Sequence, residues 1–240
     1  MFSIFKKELA AFFNNATGYI VVAIFLLLNS MLLWVIPGQY NILESGYAHV
    51  DGLFYLAPWL FLLLCPAISM RMIAEEKQTG NWELLTTKPL ANYQIVLGKY
   101  LASWVLVLVA LLPCTLYYFT VWYIAEPLGN VDGGAFWGSF IGLLLLSGFY
   151  LAVGIYASSL SKNQIVAFVI SVVLCFLCYY GFELLGSFFE SAQLKQSLEE
   201  LGIHAHYQSM SRGVIDSRDL MYFFISIGIF IVATVWKIKI

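Results

Sequence analysis

Three groups of residues in this chain could do chemistry: a charged run, a pair of cysteines and a set of histidines. The run from Met70 to Leu90 reads MRMIAEEKQTGNWELLTTKPL, and its adjacent carboxylates Glu75 and Glu76 have the form of metal ligands or of an acid–base pair. Metal-assisted hydrolysis at such a pair needs histidine partners. His49, His204 and His206 all fall in segments expected on the opposite side of a membrane, which excludes that pairing. Their one nearby carboxylate is Glu183, so an intramembrane hydrolase survives only as an alternative that needs a histidine to reach it. Cys175-x-x-Cys178 has redox or metal spacing but lies within VVLCFLCYYGF with no histidine beside it. It reads as buried apolar thiols, as do Cys65 and Cys114. The Gly98-Lys99 pair is no phosphate loop, because Tyr93 stands where the first glycine belongs and Tyr100 replaces the Ser or Thr. No cofactor or metal is expected on this chain. If nucleotide energy drives it, a separate chain hydrolyses the nucleotide.

The elements that must position these residues are set by composition. Of 240 residues 61% are hydrophobic and only 11% charged, with mean hydropathy +0.84. Soluble domains carry about 25% charged residues, so this apolar surface predicts an integral membrane protein. Stretches free of Asp, Glu, Lys and Arg include 9–43, 52–70, 100–125, 133–161, 163–182 and 220–236. Each is long enough for a helix to cross the hydrocarbon core, which takes roughly 17–25 residues. The runs are continuous rather than alternating over about ten residues, which argues for helices and against a barrel. An all-α fold follows, a single transmembrane domain with six spans at about 18–37, 53–73, 98–124, 135–158, 163–184 and 219–237. The first is expected to stay uncleaved, since no small-residue cleavage site follows it.

Basic residues orient the spans. With both termini cytoplasmic, Lys6, Lys7, Arg71, Lys77, Lys88, Lys99, Lys162, Lys237 and Lys239 lie inside, and only Lys195, Arg212 and Arg218 of the 12 basic residues lie outside. The positive-inside rule favours this arrangement, N-in and C-in. Residues 2–15 read as a separate amphipathic helix, with Phe5, Leu9, Phe12 and Phe13 on one face and Lys6, Lys7 and Glu8 polar, suited to the interface, or else as a frayed extension of the first span. Pro58 and Pro66 predict kinks in the second span and Pro113 in the third. Gly134, Gly138 and Gly142 are spaced by four. They either admit a neighbouring helix to one face or, with Gly134 in the loop, carry no common role. Asn29 either bonds across a helix contact or faces a backbone carbonyl. Between the last two spans, Leu194, Leu198 and Leu201 share a face of a short external helix that Gly202 would stop.

The charged run then falls on the cytoplasmic side between spans two and three. Gly80 permits a break after a helix carrying Glu75, Glu76 and Lys77 beyond the membrane. Asn81 is a favoured N-cap, Glu83 suits the first turn, and Trp82, Leu84 and Leu85 complete a short helix that ends before Pro89. Such a helix, apolar on one side, fits a groove on a cytoplasmic partner; an ordinary solvated loop is the alternative.

Glu75, Glu76, Gly80, Glu83, Leu85, Pro89, Gly98 and Lys99 give the pattern E-E-x-x-x-G-x-x-E-x-L-x-x-x-P followed by G-K. With Lys7-Glu8-Leu9, the six-span layout and SSLSKNQIVA before span five, the chain resembles the membrane subunits of ABC-2 type ABC transporters over its whole length. Its length and the segment HYQSMSRGVIDSRDLMYF resemble, more narrowly, the permeases of the gliding-motility ABC transporters of Bacteroidota. Many relatives have Thr or Ser where this chain has Asn81, and Asn caps a helix equally well. The resemblance implies a bacterial inner-membrane exporter subunit whose short cytoplasmic helix couples it to an ATPase subunit, present in two copies with ATP and Mg. It also implies a second permease, or a second copy of this chain. A membrane anchor that recruits a partner without transport shares the same features.

Overall fold

The computed structural model describes residues 1–86, 90–189 and 191–239. Pro89, Lys88 and Glu190 therefore lie outside the described residues, as does the side chain of Leu84. Among the described residues the regular structure is helical: α1 (Phe2–Phe13), α2 (Ala16–Ser30), α3 (Asp51–Ser69), α4 (Arg71–Gln78), α5 (Asn81–Thr86), α6 (Asn92–Leu111), α7 (Thr115–Ile124), α8 (Gly133–Leu160), α9 (Gln164–Ser187), α10 (Ala192–Glu200), α11 (Ile203–Met210) and α12 (Ser217–Lys239). Six stretches are long and apolar enough to cross a membrane: Gly18–Val35, Asp51–Gln78, Asn92–Ile124, Gly133–Leu160, Gln164–Ser187 and Ser217–Lys239. The protein is an all-α membrane protein with six spans.

Helix α8 is the central post. Its best membrane window is 83% buried, against 22% for α9 and 17% for α12. Small residues along α8 explain this, since Gly138, Ser139, Gly142, Ser147, Gly148, Ala157 and Ser158 let α3, α6, α9, α11 and α12 come close. Where lipid supplies no hydrophobic drive between helices, such close contact holds the bundle together. The outer faces of α2, α9 and α12 expose Ile24, Leu27, Val169, Val173, Phe224 and Val232. Helices apolar on all sides belong in lipid rather than water.

The interruptions have identifiable causes. Pro58 and Pro66 are accommodated inside α3, and the helical pattern breaks at Met70. There Ser158 of α8 inserts its hydroxyl, accepting from the N–H groups of Ile73 and Ala74 and donating to the Met70 carbonyl. Pro113 lies in a 3-10 turn, Leu112–Cys114, between α6 and α7. The first span ends in a π turn, Met31–Val35. Asn29 is fully buried and donates to the Phe25 carbonyl of its own helix at 3.0 Å, the second of its two expected arrangements.

The segment between the last two spans holds two helices where one is expected. Gly202 does follow the first, but with φ −78° and ψ 144° it opens α11 rather than capping α10 in the left-handed region. Ile203, Tyr207 and Met210 bury one side of α11, and the Tyr207 hydroxyl donates to the Phe54 carbonyl of α3 at 2.7 Å. A side chain on Gly138 would lie 2.5 Å from the Gly213 carbonyl, and one on Gly142 would lie 2.9 Å from Met210 Cβ. The close neighbour at these two glycines is thus α11 and the turn after it. Gly134 meets only the Asp132 carboxylate that caps α8 through Ala135 N–H.

Candidate functional site

The polar end of the bundle is built where α1, α4, α5 and α6 meet. In α1, Ile4, Glu8 and Phe12 follow one another at intervals of four and turn inward. Glu8 therefore belongs to the face packed on the bundle, not to the solvated face expected for it with Lys6 and Lys7. Its partner is Lys99 of α6, whose side chain is only 1% exposed. Lys99 Nζ lies 2.7 Å from Glu8 Oε1 and 2.9 Å from Glu76 Oε2, and Lys7 Nζ lies 2.9 Å from Glu76 Oε1. Two carboxylates and two ammonium groups thus balance charge across three helices.

The neighbouring glycine makes this geometry possible. A Cβ on Gly98 would sit 3.1 Å from the Met1 carbonyl and 3.2 Å from Ile4 Cβ, so a bare α-carbon lets α1 lie against α6. An isolated buried charge costs several kcal/mol, and a pair repays it only with good geometry and further hydrogen bonds. Here each carboxylate has a short ammonium contact. Partial burial by itself lowers the pKa of Lys7, but the hydrogen bond and charge of Glu76 outweigh that and hold it above its ordinary value.

Of the expected coupling residues, Glu76 joins this cluster while Glu75 is exposed one turn beyond Arg71. Gly80 has φ +75°, a left-handed conformation that suits glycine, and it separates α4 from α5. Asn81 is the first residue inside α5, and Asn81 and Glu83 are exposed. Leu85 is buried with Ile4 and Ile95, and Trp82 packs half-buried beside them. The apolar side expected to meet a partner is therefore occupied by α1 and α6, because a six-residue helix needs its own chain to hold it. The outward side is polar.

Helix α4 is also fastened to the end of α8. Besides the Ser158 hydroxyl, Lys77 Nζ donates to the Ser159 carbonyl. Helix α4 thus joins the ion cluster on α1 and α6 to the central post through Ser158 and Ser159. Lys7, Glu8, Lys99 and Ser158, which sequence reasoning had only as parts of the family motifs, carry this network. The available signal was Lys99, the one charge in α6 and about two turns from its start, where it needs an acidic partner.

At the opposite end, His204 Nδ1 lies 3.0 Å from Glu183 and His206 Nδ1 lies 2.7 Å from Asp219. Glu183 is the partner expected for a histidine; Asp219 is a second that the sequence did not reveal. Among the described residues, no three His, Cys, Asp or Glu side chains gather as a metal site. Cys65, Cys114, Cys175 and Cys178 are free thiols.

Five apolar spans packed with the central post α8, and α1 and α4 tied to α6 by ion pairs at the polar end, define a multi-pass membrane protein. Residues 34–201 match the model of the ABC-2 family transporter protein, and the chain belongs to that family. Membership makes it a permease subunit of an ABC transporter and implies an ABC ATPase as its partner. No curated protein matches the chain in sequence.

Proposed function

We propose that this chain is an exporter permease of the GldF kind, linked to gliding motility and placed in a bacterial inner membrane with both termini in the cytoplasm. Helix α5 is its coupling helix, and two copies of a GldA-like ATPase, holding ATP and Mg, dock against it. A GldG-like permease, or a second copy of this chain, completes the membrane unit. The observation that carries the coupling role is the mechanical continuity of α5: Leu85 is packed on α1 and α6, and the buried Lys99 joins Glu8 of α1 to Glu76 of α4. The basic excess at this end supports its cytoplasmic placement.

In this reading the polar side of α5, with Asn81 and Glu83, faces the ATPase, and Gly80 sets its angle to α4. Nucleotide-driven closure moves α5, and the ion cluster and Ser158 carry the movement to the spans. The experiment is ATPase association and permease-stimulated turnover in the copurified complex, for an Asn81→Ala/Glu83→Ala double variant. We expect stimulated turnover to fall about tenfold, equivalent to about 1.4 kcal/mol of lost contact, with the permease still folded. Wild-type association and stimulation would remove the coupling role from α5.

A further inference from the structure

Arg71 is the first charged residue after Asp51, so it marks the edge of the apolar span at the polar end of the bundle. Its guanidinium carbon stacks 3.7 Å from the centre of the Phe12 ring of α1. The side chain is half-buried, yet among the described residues its N–H groups form no hydrogen bond or ion pair. A guanidinium carries five donors in a fixed fork that matches phosphate oxygens. Those donors border a cavity of about 140 Å³ between α1, α2, α3, α4 and α9.

Its lining is of two chemical kinds: Arg71, Glu75, Asn15 and Gln164 are polar, while Phe12, Val21, Ala67 and Ile68 are apolar. Glu75 stands four residues after Arg71, on the same side of α4, where its charge acts on the guanidinium without a direct ion pair among the described residues. Arg71 and Glu75 also line the adjoining cavity, whose other charged side chains, Lys7, Glu8, Glu76 and Lys99, are paired with one another. One cation and one anion, with no direct ion pair among the described residues, are left between the two spaces.

We propose that this cavity is a phospholipid site selective for a headgroup with a phosphate and a primary ammonium, the phosphoethanolamine type. Arg71 takes the phosphate in a charge-assisted pair, Glu75 takes the ammonium, and the amides of Asn15 and Gln164 supply neutral hydrogen bonds. In this proposal the acyl chains leave past the apolar lining residues of α2 and α3. A free phosphate would use only Arg71 and would be repelled by Glu75. A choline headgroup has no N–H to give Glu75, and a glycerol headgroup leaves that carboxylate facing a net anion. The lipid would sit against both the N-terminal helix and the break at Met70, where α3 passes into α4.

The full-length chain in phosphatidylcholine nanodiscs doped with phosphatidylethanolamine or phosphatidylglycerol provides the test. Native mass spectrometry after detergent extraction reads which lipid is retained. Wild type should retain phosphatidylethanolamine about tenfold over the other two, and millimolar inorganic phosphate should not displace it. Glu75→Gln, at an exposed position without an ion pair, should fold normally and retain ethanolamine and choline lipids equally. Arg71→Gln should lose retention of all three. Equal retention of the three lipids by wild type, an unchanged preference in Glu75→Gln, or displacement by phosphate alone would overturn the proposal.

Discussion

Lys99 ties three helices together at the polar end of the bundle. It lies between Glu8 and Glu76 with its side chain 1% exposed. Replacing it by Met leaves two carboxylates facing each other with only Lys7 to offset them. Removing one member of a buried pair costs about 3–5 kcal/mol, and thermal unfolding of the full chain in detergent should show a loss of that order. Lys7, with its side chain 59% exposed, pairs with the same Glu76. Solvent screening limits such a contact, so Lys7→Ala should cost less than about 1 kcal/mol in the same assay. Equal losses for the two would mean that the cluster is not centred on Lys99. From sequence, Lys99 marked only the end of a polar loop, because the contact with Glu8 spans 91 residues and no local period encodes it. Glu8 was misplaced for a related reason. Beside Lys6 and Lys7 it reads as part of a polar face, and only its spacing of four from Ile4 and Phe12 puts it inside.

At the scale of elements, the break at Met70 depends on a side chain from elsewhere. Ser158 satisfies two N–H groups and one carbonyl there. Ser158→Ala leaves those groups buried without partners, at about 1–3 kcal/mol, and faster hydrogen exchange at Ile73 and Ala74 should accompany the loss. Gly138 is the matching contact at the other end. Its methyl-bearing variant Gly138→Ala places the methyl against the Gly213 carbonyl, a backbone group, and overpacking of this kind costs about 1–3 kcal/mol. That loss should be read as a lower melting temperature with protease sensitivity concentrated at 203–213. The six spans were legible because unbroken apolar length is a strong signal, and their observed ends differ from the expected ones by a few residues, except where α6 starts six residues before its predicted span. Helix α11 was not legible, since IHAHYQSM is short and mixed in polarity and is seated by Tyr207 reaching Phe54. Helix α5 was legible as a helix, but its apolar side turned inward. Local sequence shows that Leu85 is apolar without showing that Ile4 and Ile95 will cover it.

For the whole molecule, apolar length and charge asymmetry made the membrane class readable, and the spaced motif from Glu75 to Lys99 made the transporter family readable. What the sequence kept apart, the fold brings together. Lys7-Glu8, Glu76 and Gly98-Lys99 are separate motif fragments along the chain and one ion cluster in space. This gives the polar end a path from α5 to α1, α4, α6 and, through Ser158, to the buried post α8. The central claim is that a partner's ATP cycle moves the spans along this path. The most direct measurement is the distance between spin labels at Gln78, at the end of α4, and Val173, on the exposed face of α9, in the reconstituted complex with its ATPase. Trapping the ATPase in its nucleotide-closed state should shift that distance by about 2 Å or more, the scale of helix movements in switching proteins, and Asn81→Ala/Glu83→Ala should abolish the shift. Identical distances in the open and closed states, with the ATPase bound and turning over, would contradict the account.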